Sequence, residues 1–185
     1  MNYAPESGSL ETLKRIKKKV KLENLMDSLD AVVSRGLNVK INMIFAFPGD
    51  TPGDMWQSFK FGVKCAWHGA HDSSFIPYVP YPGSELYNQL KEQGEIHEMS
   101  DEYFNSLIPF SDLEHAKSYN RYVTDRQLVW LRLAYFSLFY GTMFLRRPNR
   151  FFRMFVNSSE KQVSRGEEII RTFFRRRKML EKGPA

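Results

Sequence analysis

The order of hydrophobic periods along the first ninety-odd residues constrains this chain most. Ser9 can cap a helix whose early apolar positions are Leu10, Leu13 and Ile16. A second amphipathic stretch carries Leu25, Leu29, Val32 and Val33 on one face, and Gly36 ends it as a left-handed cap. Val39 to Phe45 then reads as a strand, broken by Pro48-Gly49. Thr51-Pro52-Gly53-Asp54 is a helix start, with a Thr cap, Pro at the first position and an acid at the third. That helix is expected to run to His68-Gly69. Ser73 to Val79 reads as the next strand, Pro80-Tyr81-Pro82-Gly83 as a turn, and Ser84 as the cap of a short helix, Glu85 to Gln93. Helices alternating with strands across short connections predict parallel strands with crossover helices, an α/β fold.

After Gly94 strand signals are weak, and helical patterns dominate from Asp125 onward. The expected division is therefore an α/β unit over residues 1–95 and a helical, basic, aromatic-rich extension over residues 96–185. The beginning is unusual, because Tyr3-Ala4-Pro5 looks like a strand end whose strand is missing, and only two further strands follow. A parallel sheet of that size can neither cover both faces nor close into a barrel. The expectation is that the natural fold begins upstream of Met1.

Charge and cysteine usage narrow the function. Residues 146–185 hold 12 Lys or Arg against 4 Asp or Glu, a balance of +8, which leaves −2 for the rest of a chain whose net charge is +6. A basic tail on a near-neutral body suits an anionic contact, or simply a solvated helix face. The single cysteine, Cys65, excludes an intramolecular disulfide and any metal cluster held by several cysteines of this chain. The uncharged run Leu133 to Leu145, bounded by Arg132 and Arg146, is too short to span a bilayer as a helix. Charges throughout residues 1–20 leave no room for an export signal, so the expected location is cytoplasmic, with membrane association through the basic tail as a further option.

Five segments carry a family resemblance: Tyr3-Ala4-Pro5-Glu6-Ser7-Gly8-Ser9 with Leu13 to Lys18; Asn42 to Thr51; Pro77 to Tyr87; Gly94-Glu95-Ile96; and Phe144-Leu145-Arg146-Arg147-Pro148. In their order and spacing they resemble radical S-adenosylmethionine enzymes. The similarity is greatest to the cobalamin-associated class that includes anaerobic magnesium-protoporphyrin monomethyl ester cyclases. The resemblance implies a partial (β/α) barrel, of which this chain would supply the last three of six strands. In such enzymes a four-iron four-sulfur cluster, held by a C-x-x-x-C-x-x-C loop, binds S-adenosylmethionine, and a 5′-deoxyadenosyl radical abstracts a substrate hydrogen. This chain has neither that loop nor the upstream cobalamin domain. The resemblance thus implies the C-terminal part of a longer or split enzyme, partnered by a missing N-terminal half and acting on a small hydrophobic substrate. The alternative is a non-catalytic remnant or a basic accessory protein of membrane surfaces.

The same resemblance points to site residues. Glu6 and Ser7 match the position that holds the ribose or methionyl group of S-adenosylmethionine, although alone they would read as a helix start. Asn42, Ile44 and Phe47 match the adenine-packing strand, with core packing as the alternative. Ala46 stands where relatives usually have Gly. Tyr78, Tyr81 and Ser84 follow the last strand, where barrel active sites lie, or else form a rigid turn. Cys65, His68, His71 and Asp72 have zinc-ligand chemistry, but their spacing crosses an expected helix end, and a structural role is the simpler reading. The aromatic run around Trp130, Tyr135, Phe136, Phe139, Tyr140 and Phe144 suits either packing on the body of the fold or a membrane interface. The arginines and phenylalanines that follow, from Arg150 to Lys178, suit the same two readings. No nucleic-acid module is recognisable, so no nucleic-acid partner is expected.

Overall fold

A computed structural model describes residues 1–96, 99–107 and 117–150. Strands β1 (Asn2–Glu6), β2 (Lys40–Phe45) and β3 (Asp72–Pro77) form one open parallel sheet in the order β1-β2-β3. Helices α1 (Leu10–Arg15) and α2 (Leu22–Ser34) connect β1 to β2, and α3 (Pro52–His68) connects β2 to β3. Then come α4 (Glu85–Glu92), α5 (Asp101–Ser106) and α6 (Asp125–Arg146). Tyr3-Ala4-Pro5, expected as a strand end, lies inside a five-residue strand. β3 begins one residue earlier and ends two residues earlier than the expected Ser73–Val79.

Neighbours in sequence are neighbours in the sheet, and α2 and α3 pack on a single face. Period-2 alternation decides which residues point there. On β2, Ile41, Met43 and Phe45 are buried, while Lys40, Asn42 and Ile44 are half-buried on the other face. The buried side meets Leu25, Met26 and Leu29 of α2, Phe59, Phe61 and Cys65 of α3, and Leu128, Tyr135, Phe139 and Met143 of α6 in one core. Phe45, Phe75 and Tyr135 stack in sequence, with centroids 4.2 Å and 3.9 Å apart. A second, smaller cluster joins Phe47, Tyr78, Tyr87, Leu90, Ile96 and Tyr103 at the C-terminal end of the sheet.

The helix starts follow their capping chemistry. Thr51 Oγ1 accepts from the Asp54 amide while the Asp54 carboxylate accepts from the Thr51 amide, and Pro52 fills the first turn. Thr124 and Gln127 close the same box at α6. Asp54 also accepts from Ser9 Oγ at 2.6 Å, so one carboxylate ties the starts of α1 and α3 together. Burial pushes its pKa up, but the hydrogen bonds from Ser9 and Thr51 outweigh burial and hold it below the usual range.

The uncharged run Leu133–Leu145 is part of a longer helix: α6 begins at Asp125, where helical patterns are expected to start, and runs 22 residues through Arg132, whose guanidinium lies 5.6 Å from the Phe136 ring. By length and composition α6 is the one helix among the described residues that could cross a membrane, yet a third of it is buried in the fold. Its tight approach to α3 rests on Gly62, since a Cβ there would lie 2.7 Å from Tyr135 Cζ and closer still to the hydroxyl. Arg147 and Arg150 bond the His68, Gly69 and Ala70 carbonyls, placing cations at the C-terminus of α3, where the helix dipole favours them. Val123 and α6 thus share the core of the sheet. The expected basic run Arg175-Arg176-Arg177-Lys178, with Phe151, Phe152, Arg153, Phe155, Phe173 and Phe174, lies outside the described residues.

Candidate functional site

The C-terminal ends of β2 and β3 open into a cleft of about 440 Å³, walled by the end of α1 on one side and by α4 on the other. Its floor is apolar, formed by Ile44, Phe47, Ile76 and Tyr78, and its rim carries Arg15, Lys17, Tyr81, Ser84 and Glu85. An apolar floor with a few polar groups at the edge is the usual design of a small-molecule site, and the volume falls in the usual range. Lys17 Nζ and Glu85 Oε2 join across the rim at 2.6 Å. Both are well exposed, so the pair contributes little stability and can open.

Of the six residues expected at a site, the structure brings Ile44, Phe47 and Tyr78 together in this cleft, with Tyr81 and Ser84 beside them. Asn42 lies two residues before Ile44 on the same sheet face, and its Oδ1 accepts from Ser74 Oγ at 2.7 Å. Glu6 stands outside the cleft lining. It is paired with Lys18 at 3.2 Å, just after a bulge that shifts the β1–β2 register, and its φ is +67°. Ser7 is buried against α3: its Oγ shares a 2.8 Å hydrogen bond with Ser58 Oγ and accepts from the Ser9 amide at 3.1 Å. In this structure the Ser7 hydroxyl is therefore committed to the α1–α3 junction.

Tyr78 is the most informative group. It is 8% exposed, packs on Phe47 and Tyr119, and its hydroxyl meets no hydrogen-bond partner of acceptable geometry among the described residues. Burial pushes its pKa up to about 12. Ser84, which favours the ionised phenol, gives its own proton to the Tyr81 carbonyl at 2.8 Å. A buried hydroxyl left unmatched costs about 1–3 kcal/mol.

Backbone strain collects at the same end of the sheet. Glu6 at the end of β1, Lys17 after α1 and Ala46 after β2 all take left-handed φ, at +67°, +56° and +57°. Each such residue costs about 1–2 kcal/mol relative to an ordinary conformation. The geometry explains why a glycine would suit the Ala46 position.

Asp50, Arg15 and Asn120 were not expected at the site. Asp50, almost fully buried, accepts from Thr12 Oγ1 at 2.7 Å and the Phe47 amide at 3.1 Å, and pairs with Arg15. Burial raises its pKa, with Thr12, Arg15 and Phe47 pulling the other way. Asn120 Nδ2 donates to the Phe47 and Asp50 carbonyls at 2.8 and 2.9 Å. These contacts fix the Phe47–Asp50 loop that carries the cleft floor. Asp50 and Arg15 fall in segments with sequence signals, whereas Asn120 has no local signal at all.

The zinc-type residues do not assemble. Cys65 is buried against Met26 Sδ, His68 bonds Asp30 at 2.9 Å, and His71 faces Arg150 and the Val39 amide. Among the described residues no three His, Cys, Asp or Glu side chains converge as a metal site would require. No protein-family model matches the chain, and no curated protein matches it.

Proposed function

We propose that the cleft receives the adenosyl portion of S-adenosylmethionine, and that the chain forms part of the cofactor and substrate wall of a radical S-adenosylmethionine enzyme. The observation that carries this reading is an apolar cleft at the C-terminal ends of consecutive parallel strands, with the unmatched Tyr78 hydroxyl buried beneath its floor. Sequential strand order with helices on one face is also the winding of a (β/α) barrel segment, whose open face would look inward. The lining suits a nucleoside: Ile44 and Phe47 offer apolar surface to a flat ring, and a turn of the Tyr78 ring would bring its buried hydroxyl to the polar edge. It does not fit an iron–sulfur cluster, because the one cysteine is buried in the core. The four-iron four-sulfur cluster, and cobalamin in the related class, therefore belong to another part of the enzyme. When bound, the cluster and S-adenosylmethionine supply the radical chemistry. This chain's residues orient the nucleoside and exclude water from it, and Glu6, once released from Lys18, holds the ribose or the methionyl ammonium. The substrate class is a small hydrophobic molecule.

Equilibrium binding of S-adenosylmethionine, with thermal melting alongside, tests this. Tyr78→Phe is expected to weaken binding about two- to tenfold while leaving the melting temperature unchanged or raised, because an unmatched buried hydroxyl is removed. Glu6→Gln is expected to weaken binding about ten- to a hundredfold. Unchanged affinity in both variants would reject the reading.

A further inference from the structure

The outward faces of α3 and α6 have features that the cleft does not use. From Gln127 to Leu145 every exposed position of α6 is uncharged, and Trp130, Leu133, Leu138 and Leu145 are the large side chains among them. At 1.5 Å per residue this strip is about 27 Å long. The opposite side of the helix is held in the core by Leu128, Tyr135, Phe139 and Met143. A helix gripped along one side cannot cross a bilayer, but it can lie against one.

The neighbouring helix completes the surface. Trp56 and Trp67 of α3 are 56% and 53% exposed, and Trp130 of α6 is 71% exposed. The chain has three tryptophans, and all three stand on these two helices. Trp56 and Trp130 flank one apolar groove of about 470 Å³, floored by Phe59, Phe75 and Leu131. At the other end Arg146 lies over the Trp67 ring at 5.4 Å.

Charge selects the occupant. The exposed ionic groups of the two helices are Lys60, Lys64, Arg126 and Arg146 against a single acid, Asp125. Lys60 lies 5.9 Å from the Trp56 ring. Tryptophan and long basic side chains bordering an uncharged strip are the composition of an interfacial surface, with stems in the apolar layer and cations at the phosphates. A second copy of this face would oppose cation to cation, and the basic remainder of the chain after Arg150 carries the same sign.

We propose that the α3–α6 face docks on an anionic phospholipid surface, with the groove between Trp56 and Trp130 taking an acyl chain. The full chain is mixed with vesicles of phosphatidylcholine, or of phosphatidylcholine with equimolar phosphatidylglycerol, and sedimented. Tryptophan emission is read in parallel, with lipids brominated along the acyl chain as quenchers. The expected result is co-sedimentation with the anionic vesicles, a blue shift, and quenching by brominated chains. High salt should weaken binding, and the exposed substitutions Trp130→Ser and Leu138→Ser together should reduce it at least about tenfold with the melting temperature kept. Co-sedimentation without a change in emission would assign binding to the basic tail alone and overturn the proposal. So would a concentration-dependent blue shift without lipid, which marks self-association through this face, or no vesicle binding at all. None of these readouts involves S-adenosylmethionine, so the two proposals fail separately.

Discussion

Adding one methyl group at Gly62 reverses the sign of a substitution that normally stabilises a helix. In an exposed helix interior, Gly→Ala gains about 0.8–1.0 kcal/mol. At Gly62 the new Cβ would lie 2.5 Å from Tyr135 Cε2 and 2.7 Å from Cζ. Tyr135 has little freedom to yield: it is fully buried, bonded to Ser73 Oγ at 2.8 Å, and stacked on Phe75. Overpacking of this kind costs about 1–3 kcal/mol, and separating α6 from α3 would expose more of the core. The net expectation is a loss of up to about 2 kcal/mol. Gly141 is the internal control, since it sits in α6 with nothing within 4 Å of its Cβ position, and Gly141→Ala should gain close to the full helix term. Urea unfolding of the two variants beside the wild type reads both signs. Stabilisation by Gly62→Ala equal to that by Gly141→Ala would refute the close α3–α6 packing.

Asp54→Ala should lose about 2 kcal/mol near neutral pH, from the capping box and the Ser9 tie. Because the folded pKa of Asp54 is lowered, that contribution is present above the unfolded value of about 3.9 and fades as pH falls through the folded one. Unfolding at neutral pH and near pH 3 should show the gap between variant and wild type narrowing, and a widening gap would contradict the assignment. Asn120→Ala should cost about 1–3 kcal/mol by leaving the buried Asp50 carbonyl unmatched, while the Phe47 carbonyl keeps the Asp50 amide, and calorimetry showing less than half a kcal/mol would exclude the clamp. Lys17→Gly should gain about 0.5–1 kcal/mol, because glycine accepts φ +56° freely and the Glu85 pair contributes little; a measured loss would show that the pair matters more than the strain.

What could be read in the sequence follows the range of the interactions concerned. Thr51 with Asp54, the Gly36 and Gly69 helix ends and the alternation of β2 are local, and each formed as its residue types require. The strands were legible because β2 and β3 carry apolar runs, but β1 was read only as an end because Pro5 and the bulge before Glu6 break its pattern. Ile44, Phe47 and Tyr78 share a cleft because they sit at the ends of adjacent parallel strands, a consequence of topology. Ser7 shows the limit of that reasoning: one residue along a bulged strand decides between the cleft and the α3 interface, and the Ser58 hydroxyl that captures it is 51 residues away. Asn120 was invisible for the same reason, since its partners lie 73 and 70 residues earlier. Arg132 bounds the uncharged run without ending the helix, because its guanidinium lies along a neighbouring aromatic ring inside the fold.

Photolabelling with 8-azido-S-adenosylmethionine, followed by peptide mapping, tests most directly whether the cleft is a nucleoside site. Labelling needs no cluster and tolerates weak binding, so it reads the adenine position itself. The account predicts covalent label on the segments that carry Ile44–Phe47 and Tyr78–Tyr81, suppressed by excess S-adenosylhomocysteine and reduced in Tyr78→Phe. Label confined to other segments, or label on these segments that excess S-adenosylhomocysteine leaves untouched, would contradict it.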